Sequence, residues 1–136
     1  MTTKTILYVS LIIGVLFSGC KKYGEGPSLS LRSKTARVAN TWKVDSYTIN
    51  GTDKTSALTG INYTETYDKD GNFSYNSSAG TGSGKWEFQS DKEQIKRSGV
   101  SGKSTETLFI LRLKERKFWY YYLDGNDRHE IHLVEN

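Results

Sequence analysis

The spacing of apolar side chains changes twice along this chain. Residues 6–17 are apolar apart from Ser10 and Gly14. Over 29–39, Leu31, Thr35 and Val38 recur at helical spacing, and Ser28 or Ser30 stands where a cap is needed. That stretch predicts one short helix closing an end of the domain. From Asn40 onward the period is two. Trp42 and Val44 alternate with Lys43 and Asp45, and Tyr47 and Ile49 then resume out of phase. Ile61, Tyr63 and Tyr67 alternate with polar neighbours, as do Phe73 with Tyr75 and Trp86 with Phe88. Residues 95–97 make a brief strand. Over 105–114, Thr107, Phe109, Leu111 and Leu113 share one face, with Leu108 and Ile110 on the other. Residues 118–123 are aromatic on both faces, and His129, Ile131 and Leu133 alternate with Glu130, His132 and Val134.

Turn residues separate these runs. Asn50-Gly51, Asp70-Gly71 and Asp124-Gly125 each tolerate positive φ and predict tight hairpins. Residues 52–60 read as a polar loop and 77–84, rich in Gly and Ser, as a flexible loop tip. Gly80, Gly82 and Gly84 lack the spacing of a phosphate-binding loop, and no helix follows them to hold an anion. The pattern predicts an all-β fold: a small up-and-down antiparallel barrel of about eight strands with a short N-terminal helix. Closure removes the exposed edges that invite aggregation. A barrel of this size is filled by side chains or holds one small ligand.

The chain has 136 residues, room for one domain of this kind. Its 12% aromatic content excludes a disordered chain. A single Cys excludes a disulfide framework and a Cys-based zinc cluster. The net charge of +4 is spread along the sequence and forms no stripe of the kind that binds nucleic acid. The densest basic run, Arg112, Lys114, Arg116 and Lys117 interrupted by Glu115, reads as a solvated strand end.

The first twenty residues have the layout of an export signal. Lys4 precedes the apolar run, which is shorter than the ~20 residues that span a bilayer. Small Ser18 and Gly19 then precede Cys20. The stretch Leu16-Phe17-Ser18-Gly19-Cys20 resembles a bacterial lipobox. That resemblance implies cleavage before Cys20, a diacylglyceryl thioether on its sulfur and an acylated new amine. Two or more acyl chains suffice for stable anchoring, at ~0.8 kcal/mol per buried CH₂. The expected organisation is a signal peptide at 1–19, a lipidated Cys20 with a tether to residue 29, and a barrel domain at 30–136. Lys21 stands where an inner-membrane lipoprotein of the enteric type carries Asp. The resemblance therefore implies a cell-envelope location, lipid-anchored at the outer membrane.

The domain resembles the lipocalin-like domains of bacterial lipoproteins. The residues that carry the likeness are Asn40-Thr41-Trp42-Lys43-Val44 in the first strand and Asp70-Gly71-Asn72-Phe73 in the early hairpin. Gly84-Lys85-Trp86-Glu87-Phe88, Phe109-Ile110-Leu111-Arg112-Leu113 and the final Asp-Gly hairpin complete it. Arg112 and Arg128 are the candidates for the arginine that stacks on the first-strand tryptophan in lipocalins. The likeness implies a non-enzymatic envelope protein that binds something apolar.

The remaining chemistry is sparse. His129 and His132, three apart on a strand, point to opposite faces and cannot share a metal ion. No nucleophile elbow and no Cys nucleophile is visible, so no catalytic residue, metal or cofactor is expected. Glu65 shares parity with Ile61, Tyr63 and Tyr67. Pointing inward it would need a partner such as Arg112 or a Tyr hydroxyl; the plainer expectation is exposure at a strand end. The aromatic side chains are the main candidates. Trp42, Tyr63, Tyr67, Phe73, Tyr75, Trp86, Phe109 and Leu111 are expected to line the interior, either as packed core or as a pocket for a small hydrophobic ligand. A cavity above ~300 Å³ would favour the pocket. Trp119 and Tyr121, on the strand that is aromatic on both faces, are the candidates for contact with an envelope protein partner.

Overall fold

Consecutive hairpins account for almost the whole sheet. The computed structural model describes residues 32–136. The expected signal peptide, the lipidation of Cys20 and the tether fall outside the described residues. In chain order the elements are α1 (Lys34–Val38), β1 (Thr41–Ile49), β2 (Thr52–Asp53), α2 (Thr55–Thr59), β3 (Thr64–Tyr67) and β4 (Asn72–Ser77). They continue with β5 (Gly80–Gln89), β6 (Gln94–Ser98), β7 (Glu106–Lys114), β8 (Lys117–Asp124) and β9 (Asp127–Glu135). The sheet order is β2-β1-β3-β4-β5-β6-β7-β8-β9, and β1 also pairs with β9. The sheet thus closes into an eight-stranded antiparallel barrel, with β2 an extra two-residue strand on the end of β1. The all-β, up-and-down architecture expected from the alternating pattern is the one observed.

Each element has a local cause. Asn50 and Gly51 both take positive φ, 49° and 81°, so a two-residue turn joins β1 to β2. Asp68 accepts the backbone N–H groups of Asp70 and Asn72 and fixes the β3–β4 turn. The phase shift read within β1 is a register shift between Val44 and Ser46. It is a bulge, and it restores Tyr47 to the interior after Val44.

Three local expectations are corrected. The predicted helix over 29–39 is helical only from Lys34 to Val38 among the described residues, capped by Ser33, whose Oγ accepts the Ala36 N–H at 3.1 Å. The supposed polar loop contains β2 and α2. The supposed flexible tip at 77–84 is mostly ladder, with Ser77↔Gly80 through Phe73↔Gly84 in register between β4 and β5. Two of its glycines, Gly82 and Gly84, are required by packing. A Cβ on Gly82 would strike the Tyr75 ring, and one on Gly84 would strike the Ser98 carbonyl and come within 2.9 Å of Val100 Cγ2.

The core lies along the barrel axis. Trp42, Ile95, Leu108, Leu113, Phe118, Tyr120 and Leu133 are fully buried. α1 covers one end: Trp42 Nε1 donates to the Val38 carbonyl at 2.9 Å, and buried Arg37 donates to the Leu113 carbonyl at 2.9 Å. The opposite end carries the β1–β2 and β8–β9 turns and the loop over 99–105, and is called the mouth below. There Ile49, Leu58, Tyr63, Tyr75, Val100 and Tyr122 are only partly buried.

Gly84→Ala is expected to lower stability by ~1–3 kcal/mol through overpacking against backbone. The outward neighbour Ser83→Ala should change little. Thermal denaturation of the two variants checks the contrast.

Candidate functional site

The register of the strands brings the polar interior together. On β3, Glu65 sits opposite Trp42 of β1 and Tyr75 of β4. On β6, Arg97 sits opposite Trp86 of β5 and Glu106 of β7. Glu65 is completely buried, which corrects the expectation of an exposed strand end. Its partners are not Arg112 but Arg97 and three tyrosines. Arg97 NH1 donates to Glu65 Oε1 at 2.9 Å. The hydroxyls of Tyr63 and Tyr120 donate to the same oxygen at 3.0 and 2.7 Å, and that of Tyr67 donates to Oε2 at 2.7 Å. The rest of the guanidinium turns toward the mouth, where Nε and NH2 donate to Glu106 Oε2 at 3.1 and 2.7 Å. The guanidinium also lies 4.6 Å over the Phe73 ring. Arg97 therefore joins a sealed carboxylate to a partly exposed one.

The electrostatics follow from burial. Desolvation pushes the Tyr67 and Tyr120 hydroxyls well above 10.0, and the charge of Glu65 adds to it. Tyr63 is raised for the same two reasons. Burial works against the charge of Arg97, but Tyr67, Glu65, Tyr120 and Glu106 together hold it above its ordinary value. At neutral pH the cluster is an ion pair supplied with neutral phenol donors.

The expected interior residues divide into three groups. Trp42, Tyr67, Phe73 and Trp86 are buried and packed ring against ring. The Tyr67 ring meets Phe73 at 5.0 Å, Phe118 at 5.7 Å and Trp86 at 5.8 Å between centroids, and Trp42 meets Phe118 at 5.9 Å. These rings fill the axis. Tyr63 and Tyr75 stack at 5.8 Å, at the rim of the mouth. Phe109 and Leu111 do not face the interior, which corrects the parity assigned to β7. Leu108 and Ile110 are buried instead, and a bulge between Ile110 and Arg112 returns Leu113 to the core. Phe109 stacks on Tyr121 on the outer surface at 4.7 Å.

The outer face of β7 to β9 has its own order. Trp119 stacks on His132 at 3.9 Å, with the Arg112 guanidinium 3.9 Å over its ring. Arg128 lies 3.8 Å over Tyr121. Both arginines therefore stack on outer rings of β8, whereas Trp42 packs against Phe118. His129 bonds to the Tyr47 hydroxyl at 2.7 Å and stacks on Tyr122, while His132 pairs with Glu130 at 2.8 Å. The two imidazoles lie on opposite faces, as their spacing requires.

A cleft of about 500 Å³ opens beside the mouth, within the usual range for a small-molecule site. Lys103, Glu106, Phe109, Tyr122 and Asp124 are among its lining residues. Glu106 is shared between this cleft and the buried cluster. Two further surface clefts are lined mostly by Ser, Thr, Asn and Gly, although Phe73 or Tyr75 also borders each. One of these also carries Asp68 and Lys85, but the mouth cleft brings two aromatic rings, Phe109 and Tyr122, together with Lys103, Glu106 and Asp124. Arg97, Tyr120 and Glu106 were not singled out from sequence, because their meeting depends on pairings between distant strands.

Removing one partner of a buried ion pair strands the other. Arg97→Met should cost ~3–5 kcal/mol, and Glu65→Leu combined with it should recover part of the loss; denaturant unfolding of the single and double variants measures both. The tyrosines set the alkaline limit. Their phenols ionise near 10.0 when unfolded and higher when folded. Above about pH 10 the unfolded chain releases protons that the folded chain keeps. Stability should then fall by up to ~1.4 kcal/mol per pH unit for each of Tyr63, Tyr67 and Tyr120. Phenolate absorbance from these three side chains should rise in step with loss of the fold rather than before it. No protein family model matches the chain, and no curated protein matches its sequence.

Proposed function

We propose that this chain is a lipid-anchored envelope protein whose barrel binds a small ligand at its mouth, without catalysis. The anchor reading rests on the leader pattern and Cys20. The binding reading rests on one observation. Arg97 fixes Glu106 from within the core, and Glu106 then faces a cleft bordered by Tyr122 and Phe109. A carboxylate held rigid by a buried guanidinium is a preorganised polar contact, and the rings beside it offer apolar surface. The packed axis excludes a ligand buried deep in the barrel, so the ligand sits at the rim. A ligand with an apolar or aromatic body and one hydrogen-bonding group fits this arrangement.

A second reading has its own support. Trp119 and Tyr121 place aromatic surface on the outside of β8, partly exposed. A protein partner would meet these rings rather than the mouth.

One preparation separates the two readings. Protein isolated from membranes is expected to carry the added mass of acyl chains on Cys20, and Cys20→Ser is expected to leave the membrane fraction. On denaturation the wild type should release a small molecule detectable by mass spectrometry. Glu106→Gln and Tyr122→Ala should reduce its yield about tenfold, the equivalent of one lost hydrogen bond to a charged group. Trp119→Ala, which leaves in place the Tyr121 ring that stacks on Phe109 of the cleft, should leave that yield unchanged. Loss of a co-purifying protein in this last variant, with no small molecule in any, would favour the partner reading instead.

A further inference from the structure

The strand register aligns three lysines that the sequence scatters. Lys114 of β7 lies directly opposite Lys117 of β8. Lys117 lies opposite Val134 of β9, which lies opposite Lys43 of β1. The result is a row across four strands on the outer face, beside the end closed by α1. Directly opposed like charges on a sheet are destabilising, so the arrangement favours an anion laid across it. None of the three lysines forms an ion pair with a described residue. Of the neighbouring carboxylates, Glu135 is engaged by Asn40 at 3.3 Å and by Arg116 at 3.3 Å, and Glu115 is exposed in the turn between Lys114 and Lys117. The mouth carries no such row: there Asp53, Glu106, Asp124 and Asp127 are balanced by Lys54, Lys103, Arg128 and Arg97, the last paired with Glu106.

The chain enters at the same end as the lysine row. α1 opens the described residues and packs on β7 through Arg37 and Leu113. The stretch from Cys20 to Arg32 spans at most ~40 Å when extended, so an anchor there holds the domain near a bilayer without fixing which side faces it.

We propose that the row Lys43, Lys117 and Lys114 rests on anionic lipid headgroups and turns the mouth away from the bilayer. The proposal rests on the lipid-anchor reading for proximity, and on the strand register for the face. Each basic side chain at an anionic surface strengthens adsorption about fivefold. The attraction is screened within about 10 Å at ~0.1 M salt, so it acts only on a domain already held close.

The test uses the full chain reconstituted in two kinds of vesicle: phosphatidylcholine alone, and phosphatidylcholine with about 30% phosphatidylglycerol. An amine-reactive label then reads each lysine by peptide mass spectrometry. In the anionic vesicles Lys43, Lys114 and Lys117 should label several-fold more slowly than Lys54 and Lys103. The difference should vanish in phosphatidylcholine alone and at ~1 M salt, where the screening length falls to ~3 Å. Lys114→Glu with Lys117→Glu should restore rapid labelling of Lys43. Equal labelling in both vesicles, or protection of Lys54 and Lys103 instead, would overturn the proposal, and the wild-type pattern decides even where the variant fails to fold. The intact mass reports separately whether Cys20 is acylated. Equal labelling in acylated protein overturns the face, and an unmodified mass in protein isolated from membranes overturns the anchor, so the two failures are read independently.

Discussion

The ion pair between Glu65 and Arg97 constrains everything around it. Two charges removed from water cost several kcal/mol each, and their attraction offsets this only with good geometry and filled hydrogen-bonding capacity. The barrel meets both conditions by converging three phenols on one carboxylate and a second carboxylate on the same guanidinium. Those six side chains come from β3, β6, β7 and β8 and from the residue just before β3. A slip of one residue in any of those strands would turn its member outward and leave the others stranded. The pair is weak evidence for net stability, but it ties the register of one side of the barrel to that of the other.

The interior is therefore not a hollow. Ring-to-ring contacts run from Trp42 through Phe118 and Tyr67 to Trp86. Space becomes available only where the aromatic side chains reach the rim and the polar cluster comes to the surface through Glu106. A recognition surface at one end of a solid barrel keeps its rigidity, because the side chains beneath it are locked by packing. The outer stacks of Trp119 on His132 and Phe109 on Tyr121 belong to the opposite face of the same strands. They stiffen the sheet from outside.

Much of this architecture was legible from the alternating pattern. The strands from Trp42 to Val44, from Phe73 to Tyr75 and around Trp86 had the right faces, and even the bulge after Val44 showed as a break in phase. Strand β7 misled because its apolar residues occupy both faces, so parity alone could not choose between Leu108 and Phe109. The glycine-rich stretch misled because a missing side chain signals either freedom or crowding. Here it is crowding, by the Tyr75 ring and the Ser98 carbonyl. Glu65 showed the correct parity, but its partner could not be found by local reading. Arg97 is 32 residues away and becomes its neighbour only inside the closed barrel.

Closure also governs when the fold can exist. The first strand is completed by the last: β1 pairs with β9 along most of its length, and the Asn136 N–H reaches the Thr41 carbonyl at 3.1 Å. A chain emerging from its N-terminus holds β1 half-paired until its final residues arrive. Loss of residues from β9 reopens a seam along β1. Because both ends of the barrel's chain meet at that seam, joining them and opening a hairpin elsewhere would preserve every ladder in the sheet.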